Sequence, residues 1–294
     1  MTFAVPQGYL DQFDEQDLAE RGDWLATLPE AVRRYARRWD LRPDGPALYG
    51  YVGVVWPVVR ADGTPAMLKL SWPHPEAADE AVALTTWAGE GTVRVYADDD
   101  YVLLLERLDP HHSLNEEPLA EAVDTASLVL RRLIVPAPPL HRRLTEVAAT
   151  YAEELPGQNT ALGHPVPRTM LDEAVDHCRT LGPAAGSLLV NEDLHYFNVL
   201  RGTREPWLLI DPKPIAGDPE FAVIPLLWNR YEESGGAQGV PDRTARIVEV
   251  AGLDPEKARA WTLVRAVRNW LGALEYGGFP FVDTLAGIAT ATYG

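Results

Sequence analysis

The spacing of apolar residues divides the chain into a strand-rich part and a helix-rich part. Residues 12–40 carry apolar positions at helical intervals that are interrupted near Gly22 and Pro29, which predicts two short helices. β-Branched and aromatic residues then flank the tetrapeptide "ADGT", whose Asp-Gly pair is typical of a hairpin turn. We therefore expect an antiparallel hairpin with Lys69 on its second strand.

A helix and a second pair of strands follow this hairpin. Residues 75–89 have a helical pattern, in which Pro75 suits the first turn and Gly89 is placed to end the helix. Two strand-like segments, residues 92–97 and 101–108, flank three consecutive aspartates. We interpret the aspartates as a solvated turn.

Helical patterns dominate after about residue 115. Proline-bearing loops separate helical segments up to about residue 182, and mainly helical patterns resume at residue 220. A short apolar strand, a polar stretch and a hairpin lie between these two regions. A sheet-rich part followed by a helical part predicts two lobes, residues 1–108 and 109–294, the first with a helical N-terminal extension at about residues 10–40.

Composition and charge limit the classes of partner. Of the 294 residues, 46% are hydrophobic and 23% are charged, as in folded globular proteins. The formal net charge of −17 argues against a nucleic-acid partner, because clustered cations bind a phosphate backbone, and it mildly favours a cationic ligand. We expect either a monomer or a homodimer.

The chain lacks the patterns of membrane-embedded and exported proteins. Its longest uncharged, mostly apolar run before Arg60 is "GPALYGYVGVVWPVV", residues 45–59, below the roughly 20 residues that a membrane helix needs. The acidic start lacks the basic and apolar regions of an export signal. The single cysteine, Cys178, excludes an internal disulfide and a multi-cysteine metal site. We therefore expect a cytoplasmic protein without a membrane partner.

Residues that could bind a metal ion surround a predicted short hairpin. Antiparallel pairing about the turn "GTREP" is expected to set Val199 opposite Ile210. Asn198 then lies opposite Asp211, so that an amide oxygen and a carboxylate converge. Two hard oxygen donors suit Mg²⁺, which completes its shell with water and substrate oxygens. Asp193, on the loop that precedes the hairpin, could hold an acceptor hydroxyl beside the metal.

Lysine is rare in this chain. Of 26 basic residues only three are lysines, and two of them, Lys69 and Lys213, fall in candidate site regions. An ammonium in the apolar strand "AMLKLSW" is costly to bury unless it is paired. Glu80, on the following helix, is the expected partner of Lys69, and Glu76 is the second candidate. The alternative is a strand lysine that extends to solvent.

These motifs resemble those of a known family. The pattern Asp-x-x-x-x-Asn, a short hairpin that ends in Asp, and an upstream strand Lys and helix Glu are similar to the protein-kinase-like fold. More closely, "LKLSWP", "LLLERL", "DLHYFNVL", "REPWLLIDPK" and "GDPEF" resemble the aminoglycoside phosphotransferase family, in the branch that groups streptomycin 6-kinases with hydroxyurea phosphotransferases. The resemblance covers roughly residues 45–230. It implies an α+β, bilobal fold with a small antiparallel β-sheet N-lobe and a mainly helical C-lobe.

The resemblance also implies a role for each candidate residue. Asp193 would be the catalytic aspartate that orients the acceptor hydroxyl. Asn198 and Asp211 would ligate Mg²⁺. Lys69, oriented by Glu80, would hold the phosphates of ATP.

Two further segments would take part in nucleotide binding by the same resemblance. The backbone of Glu106 to Leu108 would be the hinge that hydrogen-bonds adenine. Gly50 and Gly53 of "YGYVG" are the glycines available for a loop that covers the phosphates. The first lobe would thus bind the nucleotide, and the second would supply the catalytic and acceptor-binding residues.

The sequence departs from the family pattern just ahead of Asp193. The family usually has His two residues before the catalytic Asp, where this chain has Asn191. Asn also donates and accepts hydrogen bonds, so we expect the loop geometry to survive. Glu192 either faces the site, where it would repel Asp193 or attract a cationic acceptor, or faces solvent without effect.

Three neighbouring polar residues have simpler interpretations. His195 is expected to order its loop, since no second Asp/His cluster with ligand-like spacing follows. Asp218 is expected to accept backbone N–H bonds in the loop after it. Lys213 could touch phosphate or form a surface ion pair.

We therefore expect an ATP-dependent O-phosphotransferase that confers resistance by phosphorylating a hydroxyl of a small amine-bearing antibiotic such as streptomycin, with ATP and Mg²⁺ as cofactors. Kinases for hydroxyurea or for a cyclic peptide antibiotic of the viomycin/capreomycin type are alternatives within the family. A kinase-like protein that binds without catalysis and a metal phosphohydrolase are alternatives outside it.

Overall fold

The computed structural model describes residues 3–294 as two compact units, Met1–Leu108 and Asp109–Gly294. Met1 and Thr2, which begin the acidic start discussed above, lie outside the described residues. The side chains that are also left undescribed are those of Gln16, Phe279 and Pro280. Among the described residues, no helix is both long enough and apolar enough to cross a membrane.

The first unit combines helices with an antiparallel sheet. Its helices are α1 (Gln7–Leu10), α2 (Glu15–Arg38) and α3 (Glu80–Trp87). Its strands are β1 (Arg42–Pro43), β2 (Leu48–Tyr49), β3 (Gly53–Val59), β4 (Pro65–Ser71), β5 (Val95–Asp99) and β6 (Val102–Glu106). They form one sheet in the order β1-β3-β4-β6-β5, and β2 also pairs with β3. Strand β4 is therefore central, with a neighbour on each side.

A single helix, α2, replaces the two short helices predicted for the N-terminal extension. It runs through both Gly22 and Pro29. Leu28 and Val32, on either side of the proline, are fully buried in the same apolar cluster as Trp56 of β3. The prediction was wrong because burial of this stripe against the sheet outweighs the cost of an interior proline, about 3 kcal/mol.

The predicted hairpin, with Lys69 on its second strand, is confirmed as β3 and β4. Arg60 N–H donates to Thr64 O at 3.0 Å to close the turn. Gly63 takes a φ of +84°, the left-handed conformation for which the Asp-Gly pair is suited. The resulting register sets Lys69 opposite Val55.

The second predicted strand pair is present as β5 and β6, but the three aspartates are not simply a solvated turn. Strand β5 extends through Asp99, and Asp100, with a φ of +52°, begins the turn. Asp99 accepts a hydrogen bond from Tyr35 Oη at 3.0 Å and forms an ion pair with Arg38. Because Tyr35 and Arg38 belong to α2, Asp99 ties this helix to the edge of the sheet.

The helix predicted for residues 75–89 is shorter, because α3 begins at Glu80. The preceding residues form i→i−3 turns, as in the bond from Glu80 N–H to Ala77 O at 3.2 Å. The predicted end is close to the observed one, since Ala88 and Gly89 both have left-handed conformations. The later start puts Glu80 in the first turn of α3, where the helix dipole favours a carboxylate.

The second unit is mainly helical, as its sequence pattern predicts. Its helices are α4 (Leu119–Leu133), α5 (Leu144–Ala161), α6 (Arg168–Leu181), α7 (Pro225–Trp228), α8 (Val240–Ala251), α9 (Pro255–Glu275) and α10 (Phe279–Thr292). Its strands are β7 (Asp109–Ser113), β8 (Val135–Pro136), β9 (Leu188–Asn191), β10 (Val199–Arg201), β11 (Trp207–Leu209) and β12 (Pro214–Gly217). They form two antiparallel sheets, β11-β10-β7 and β12-β9-β8. Strands β7 and β8 were not predicted, because they are short and contain proline or consecutive polar residues.

A buried carboxylate joins separate segments of the second unit. Asp218 is 3% exposed. It accepts hydrogen bonds from Gly186 N–H at 3.0 Å, from Lys257 Nζ at 3.0 Å and from Trp261 Nε1 at 3.1 Å. Its interpretation as a structural acid is confirmed, although its partners are α9 side chains and Gly186 rather than the loop that follows it.

The thiol of Cys178 on α6 should be nearly inert in the folded protein. It is 1% exposed, and burial raises its pKa to about 12. Because the thiolate is the nucleophile, we expect iodoacetamide at pH 8 to label it at least about 100-fold more slowly than an unstructured cysteine. A mass-spectrometric time course measures this rate. The chain unfolded in guanidinium chloride should label at the ordinary rate, and equal rates in the two states would contradict the burial.

Candidate active site

The first unit contains a buried ion pair. Lys69, on the central strand β4, lies between Val55 and Leu103 of the neighbouring strands, and its side chain is 8% exposed. Its Nζ is 2.6 Å and 2.7 Å from the two carboxylate oxygens of Glu80 in α3. The expected pairing of Lys69 with Glu80 is thus present, and the alternative of a lysine that extends to solvent is wrong.

Such a pair is a costly feature for a small sheet. Removing two charges from water carries a desolvation penalty that their attraction only partly offsets, so well-packed apolar residues often stabilise a protein as much. The sheet around Lys69 is otherwise rich in Leu and Val. An ionic pair in this setting is therefore weak evidence for a role in stability, and the binding of a ligand by Lys69 stays a prediction.

The segment predicted to bind adenine ends the first unit. Glu106 is the last residue of β6, and its Oε2 accepts a hydrogen bond from Arg94 N–H at 3.1 Å. Leu108 is 9% exposed and is the last residue of the unit. The hinge role of this segment stays a prediction.

In the second unit, the hairpin of β10 and β11 is shifted by one residue from the predicted pairing. Val199 pairs with Leu209 rather than with Ile210. Asn198 therefore lies opposite Ile210, whose N–H donates to Asn198 O at 2.8 Å. The predicted pairing of Asn198 with Asp211 was wrong.

The turn itself requires the observed register. The five residues of "GTREP" are centred on Arg204, so the strands that flank them pair Val199 with Leu209, whereas pairing Val199 with Ile210 needs an even number of turn residues. Within the turn, Gly202 N–H donates to Pro206 O at 3.2 Å. Side chains alternate between the faces of a strand, so a continued strand would point Asp211 away from the side of Asn198. Strand β11 ends at Leu209, however, and Asp211 takes a φ of +50°, which changes the direction of the chain.

Four titratable side chains share the neighbourhood of the loop that leads into β10. Burial lowers the pKa of His195, whereas the negative charges of Asp193 and Asp211 oppose this shift. The positive charge of Lys213 adds to the lowering. Asp211 is therefore close enough to act electrostatically on the same histidine as Asp193, despite the changed register.

Asp193 lies at the centre of this group. Its Oδ2 is 3.4 Å from Lys213 Nζ and 4.0 Å from His195 Nε2. The side chains of Asp193 and Lys213 are 21% and 34% exposed, so a ligand can reach both. Of the two interpretations of Lys213, the ion pair is present, and contact with phosphate stays a prediction.

The side chain of Asn191 fixes the backbone of this loop. It is 1% exposed at the end of β9, and its Oδ1 accepts hydrogen bonds from Asp193 N–H at 3.1 Å and Lys213 N–H at 2.9 Å. Glu192 N–H donates to Lys213 O at 3.0 Å, and Pro214 continues the pairing opposite Asn191. One amide oxygen thus fixes the backbone on both sides of the Asp193–Lys213 ion pair.

Glu192 fits neither of its two predicted orientations. It is 6% exposed and forms an ion pair with Arg142, so it does not face solvent. Its charge is compensated there rather than free to repel Asp193. Sequence reasoning missed Arg142, because it precedes Glu192 by 50 residues and belongs to no motif.

Two oxygen donors near this loop, from Asn198 and Asp211, suit a hard cation. Asn198 is 8% exposed, and its Nδ2 donates to Asp193 O at 3.3 Å, which leaves Oδ1 as the ligand atom. Asp211 supplies a carboxylate. Within residues 3–294, no group of three or more His, Cys, Asp or Glu side chains could hold a metal ion by itself. A cation here would take its remaining ligands from substrate and water, which is the habit of Mg²⁺.

Comparison with known proteins decides the family. A family model described as aminoglycoside/hydroxyurea antibiotic resistance kinase matches residues 38–276. The chain belongs to this family. A streptomycin 6-kinase from Streptomyces griseus is 39% identical over 93% of this kinase and 92% of its own length. A hydroxyurea phosphotransferase from Kitasatospora aureofaciens is 40% identical over 92% of this kinase and 81% of its own length.

Solved structures support the predicted fold. A choline kinase from Streptococcus pneumoniae superposes with a TM-score of 0.57 at 12% sequence identity, covering 89% of this kinase and 99% of that chain. At this identity the likeness concerns the fold alone. This kinase therefore has the protein-kinase-like fold that its motifs predicted, and as a phosphotransferase it takes a nucleotide substrate.

Replacement of Asn191 by Leu should destabilise this kinase by about 2–4 kcal/mol. Leucine has a similar size but leaves the N–H groups of Asp193 and Lys213 without their acceptor, and an unsatisfied buried donor costs about 1–3 kcal/mol. Urea unfolding measures the change. Asn115→Leu makes the same substitution at a half-buried position and should cost less than about 1 kcal/mol. Equal stability of Asn191→Leu and the wild type would contradict the bridging role.

Lys69→Met and Glu80→Gln should each cost about 3–5 kcal/mol, because either change leaves a buried charge uncompensated. The double variant should cost less than the sum, since neither charge of the pair is then left without the other. Urea unfolding of the four proteins measures the coupling free energy. Arg37 and Glu30 form an exposed pair of similar separation, 3.0 Å, whose coupling should stay below about 1 kcal/mol. Additive effects at Lys69 and Glu80 would show that the two charges do not depend on one another.

Proposed function

We propose that this kinase transfers the γ-phosphoryl group of ATP to a hydroxyl group of streptomycin or a closely similar cationic aminoglycoside. The observation that carries the proposal is the arrangement around Asp193. A reachable carboxylate, an ammonium and two further oxygen donors lie on the two segments that flank the β10–β11 hairpin of an antibiotic resistance kinase. This set is suited to holding a hydroxyl beside a phosphate.

Asp193 would accept the hydrogen bond of the acceptor hydroxyl and take its proton as the new O–P bond forms, while the bond between the γ-phosphorus and the bridging oxygen breaks and ADP leaves. Lys213 offsets the charge of Asp193 in the resting site and is exposed enough to reach a phosphate oxygen. The bond from Asn191 to the backbone of Asp193 would keep the carboxylate in place. Catalysis would then consist mainly of positioning and charge neutralisation.

Asn198 and Asp211 would hold Mg²⁺ through the Asn198 amide oxygen and the Asp211 carboxylate. Bound there, the ion would neutralise charge on the phosphates of the nucleotide. Mg²⁺ needs few protein ligands, so two oxygen donors, Asn198 and Asp211, are enough.

Lys69 would bind the nucleotide phosphates. Glu80 would hold the ammonium in place, since both of its oxygens lie within hydrogen-bond distance of Nζ. The backbone of Glu106 to Leu108 would hydrogen-bond adenine. We infer a cytoplasmic enzyme, because ATP is a cytoplasmic substrate.

The choice of acceptor rests on charge. The names of the two relatives do not decide it, because their identities to this kinase, 39% and 40%, are nearly equal. Streptomycin carries guanidinium groups, whereas hydroxyurea is neutral. The net charge of −17 favours encounter with the cationic acceptor.

Asp193→Asn should lower kcat by about 10²–10⁴-fold, the usual contribution of a general base, and leave the Kd of Mg-ATP within about twofold. ATP consumption, with mass-spectrometric detection of the phosphorylated product, measures turnover on streptomycin and on hydroxyurea. Calorimetric titration with Mg-ATP measures binding.

Asp172→Asn is the matched control, because that carboxylate is 64% exposed on α6 and should not affect kcat. Undiminished turnover of Asp193→Asn would refute the role of Asp193. Phosphorylation of hydroxyurea without phosphorylation of streptomycin would refute the choice of acceptor. Phosphate release without any acceptor would indicate a hydrolase instead.

A further inference from the structure

The loop between β2 and β3 contains the two glycines of "YGYVG" and is called here the glycine loop (residues 50–53). A Cβ on Gly53 would lie 2.8 Å from Leu70 O, so the close approach of β4 requires glycine there. A Cβ on Gly50 would meet no described atom within 4 Å, and its φ is not positive. The fold thus explains Gly53, whereas Gly50 leaves open space on the loop, as a closely approaching ligand would need.

The guanidinium of Arg21 lies against this loop. Arg21 comes from the middle of α2 and is 4% exposed. Its Cζ is 4.3 Å from the ring centroid of Tyr51, 4.3 Å from that of Trp72 and 4.8 Å from that of Phe13. Its Nη1 donates to Tyr51 O at 2.8 Å. The arginine therefore both stacks on the tip of the glycine loop and binds its backbone.

Other residues of the N-terminal segment hold the same loop. Tyr51 Oη donates to Asp17 Oδ1 at 2.6 Å, and Asp17 also pairs with Arg21 Nη2 at 3.4 Å. Gln12 Nε2 donates to Gly50 O at 3.2 Å. Two consecutive residues of the loop are thus bound by side chains from outside the sheet.

The same arginine connects the loop to the strand that carries Lys69. Trp72 follows β4 directly and lies three residues after Lys69. Its N–H donates to Val52 O at 2.8 Å, while its ring packs on Arg21. Arg21 therefore contacts both chain segments that would surround the phosphates if Lys69 binds them.

We propose that Arg21 is a positioning residue that holds the glycine loop ready to cover the nucleotide phosphates. The proposal rests on the proposed binding of ATP by the first unit. It concerns a residue outside the segment matched by the family model, which begins at residue 38. A loop that is already ordered loses less conformational entropy when the nucleotide binds, so the affinity is higher.

Arg21→Met and Arg21→Lys test this role, with Arg38→Met as the matched control. Arg38 also joins α2 to the sheet, through Asp99, but does not involve the glycine loop. Lysine keeps the charge of Arg21 but lacks the planar group that can stack between rings while it donates to the Tyr51 carbonyl. We expect both Arg21 variants to behave alike.

Two measurements on the whole chain separate positioning from general stability. Hydrogen exchange without nucleotide should speed up roughly tenfold in the peptide that spans the glycine loop, and remain unchanged in β4 and in the part of β3 after Gly53. The Kd and KM for Mg-ATP should rise roughly tenfold, with kcat and the KM of the acceptor changed by less than about twofold. Arg38→Met should leave the exchange of the loop unaltered.

These measurements distinguish a failure of this inference from a failure of the proposed function. If the wild type fails to bind Mg-ATP, the proposed function falls and this inference falls with it. If the wild type binds Mg-ATP and Arg21→Met binds it equally well, the inference alone is overturned, even where the loop exchanges faster. Should the Arg21 variants not fold, Gln12→Ala removes the exposed contact to Gly50 O and should weaken Mg-ATP binding about fivefold, as expected for the loss of one hydrogen bond. Unchanged binding in that variant would also count against the inference.

Discussion

The candidate active site of the second unit depends on one buried amide oxygen, Oδ1 of Asn191, which accepts two hydrogen bonds. Oδ1 of Asn191 bonds the backbone of Asp193 and the backbone of Lys213, which lie 20 residues apart in the sequence but on either side of one ion pair. A neutral histidine has only one acceptor nitrogen and could not make both bonds. Asn191 therefore joins the loop to the returning strand by two bonds that the histidine expected from the resemblance could not both make.

Two buried ion pairs have opposite consequences for the chemistry. Lys69 and Glu80 keep an ammonium oriented inside the first unit, where apolar side chains would serve the sheet as well. Glu192 and Arg142 instead remove a carboxylate from the surroundings of Asp193. Glu192 therefore adds no uncompensated charge at this loop, and attraction of a cationic acceptor depends on other carboxylates of the chain.

Local patterns were sufficient for much of the fold and for the composition of the site. The hairpin that carries Lys69, its pairing with Glu80 and the family itself followed from short motifs. The continuity of α2 through Pro29 could not be predicted from such motifs, because it depends on burial against residues that come later in the chain. The position of Asp211 could not either, because β11 ends at Leu209 and Asp211 takes a left-handed conformation that the motif does not predict. Arg142 had no local signal, because charge compensation over 50 residues is visible only in the folded chain.

The scarcity of lysine has a practical consequence for handling the protein. Each of its three ε-amines is paired with a carboxylate, and Lys213, at 34% exposure, pairs with Asp193 itself. Lys257 is similarly reachable, at 38% exposure, but it anchors a buried structural acid. Cross-linking or immobilisation through a lysine would therefore modify the proposed site, its buried ion pair or a structural contact. Because the native thiol is buried, a cysteine introduced on the surface is the safer point for attaching a probe or a solid support.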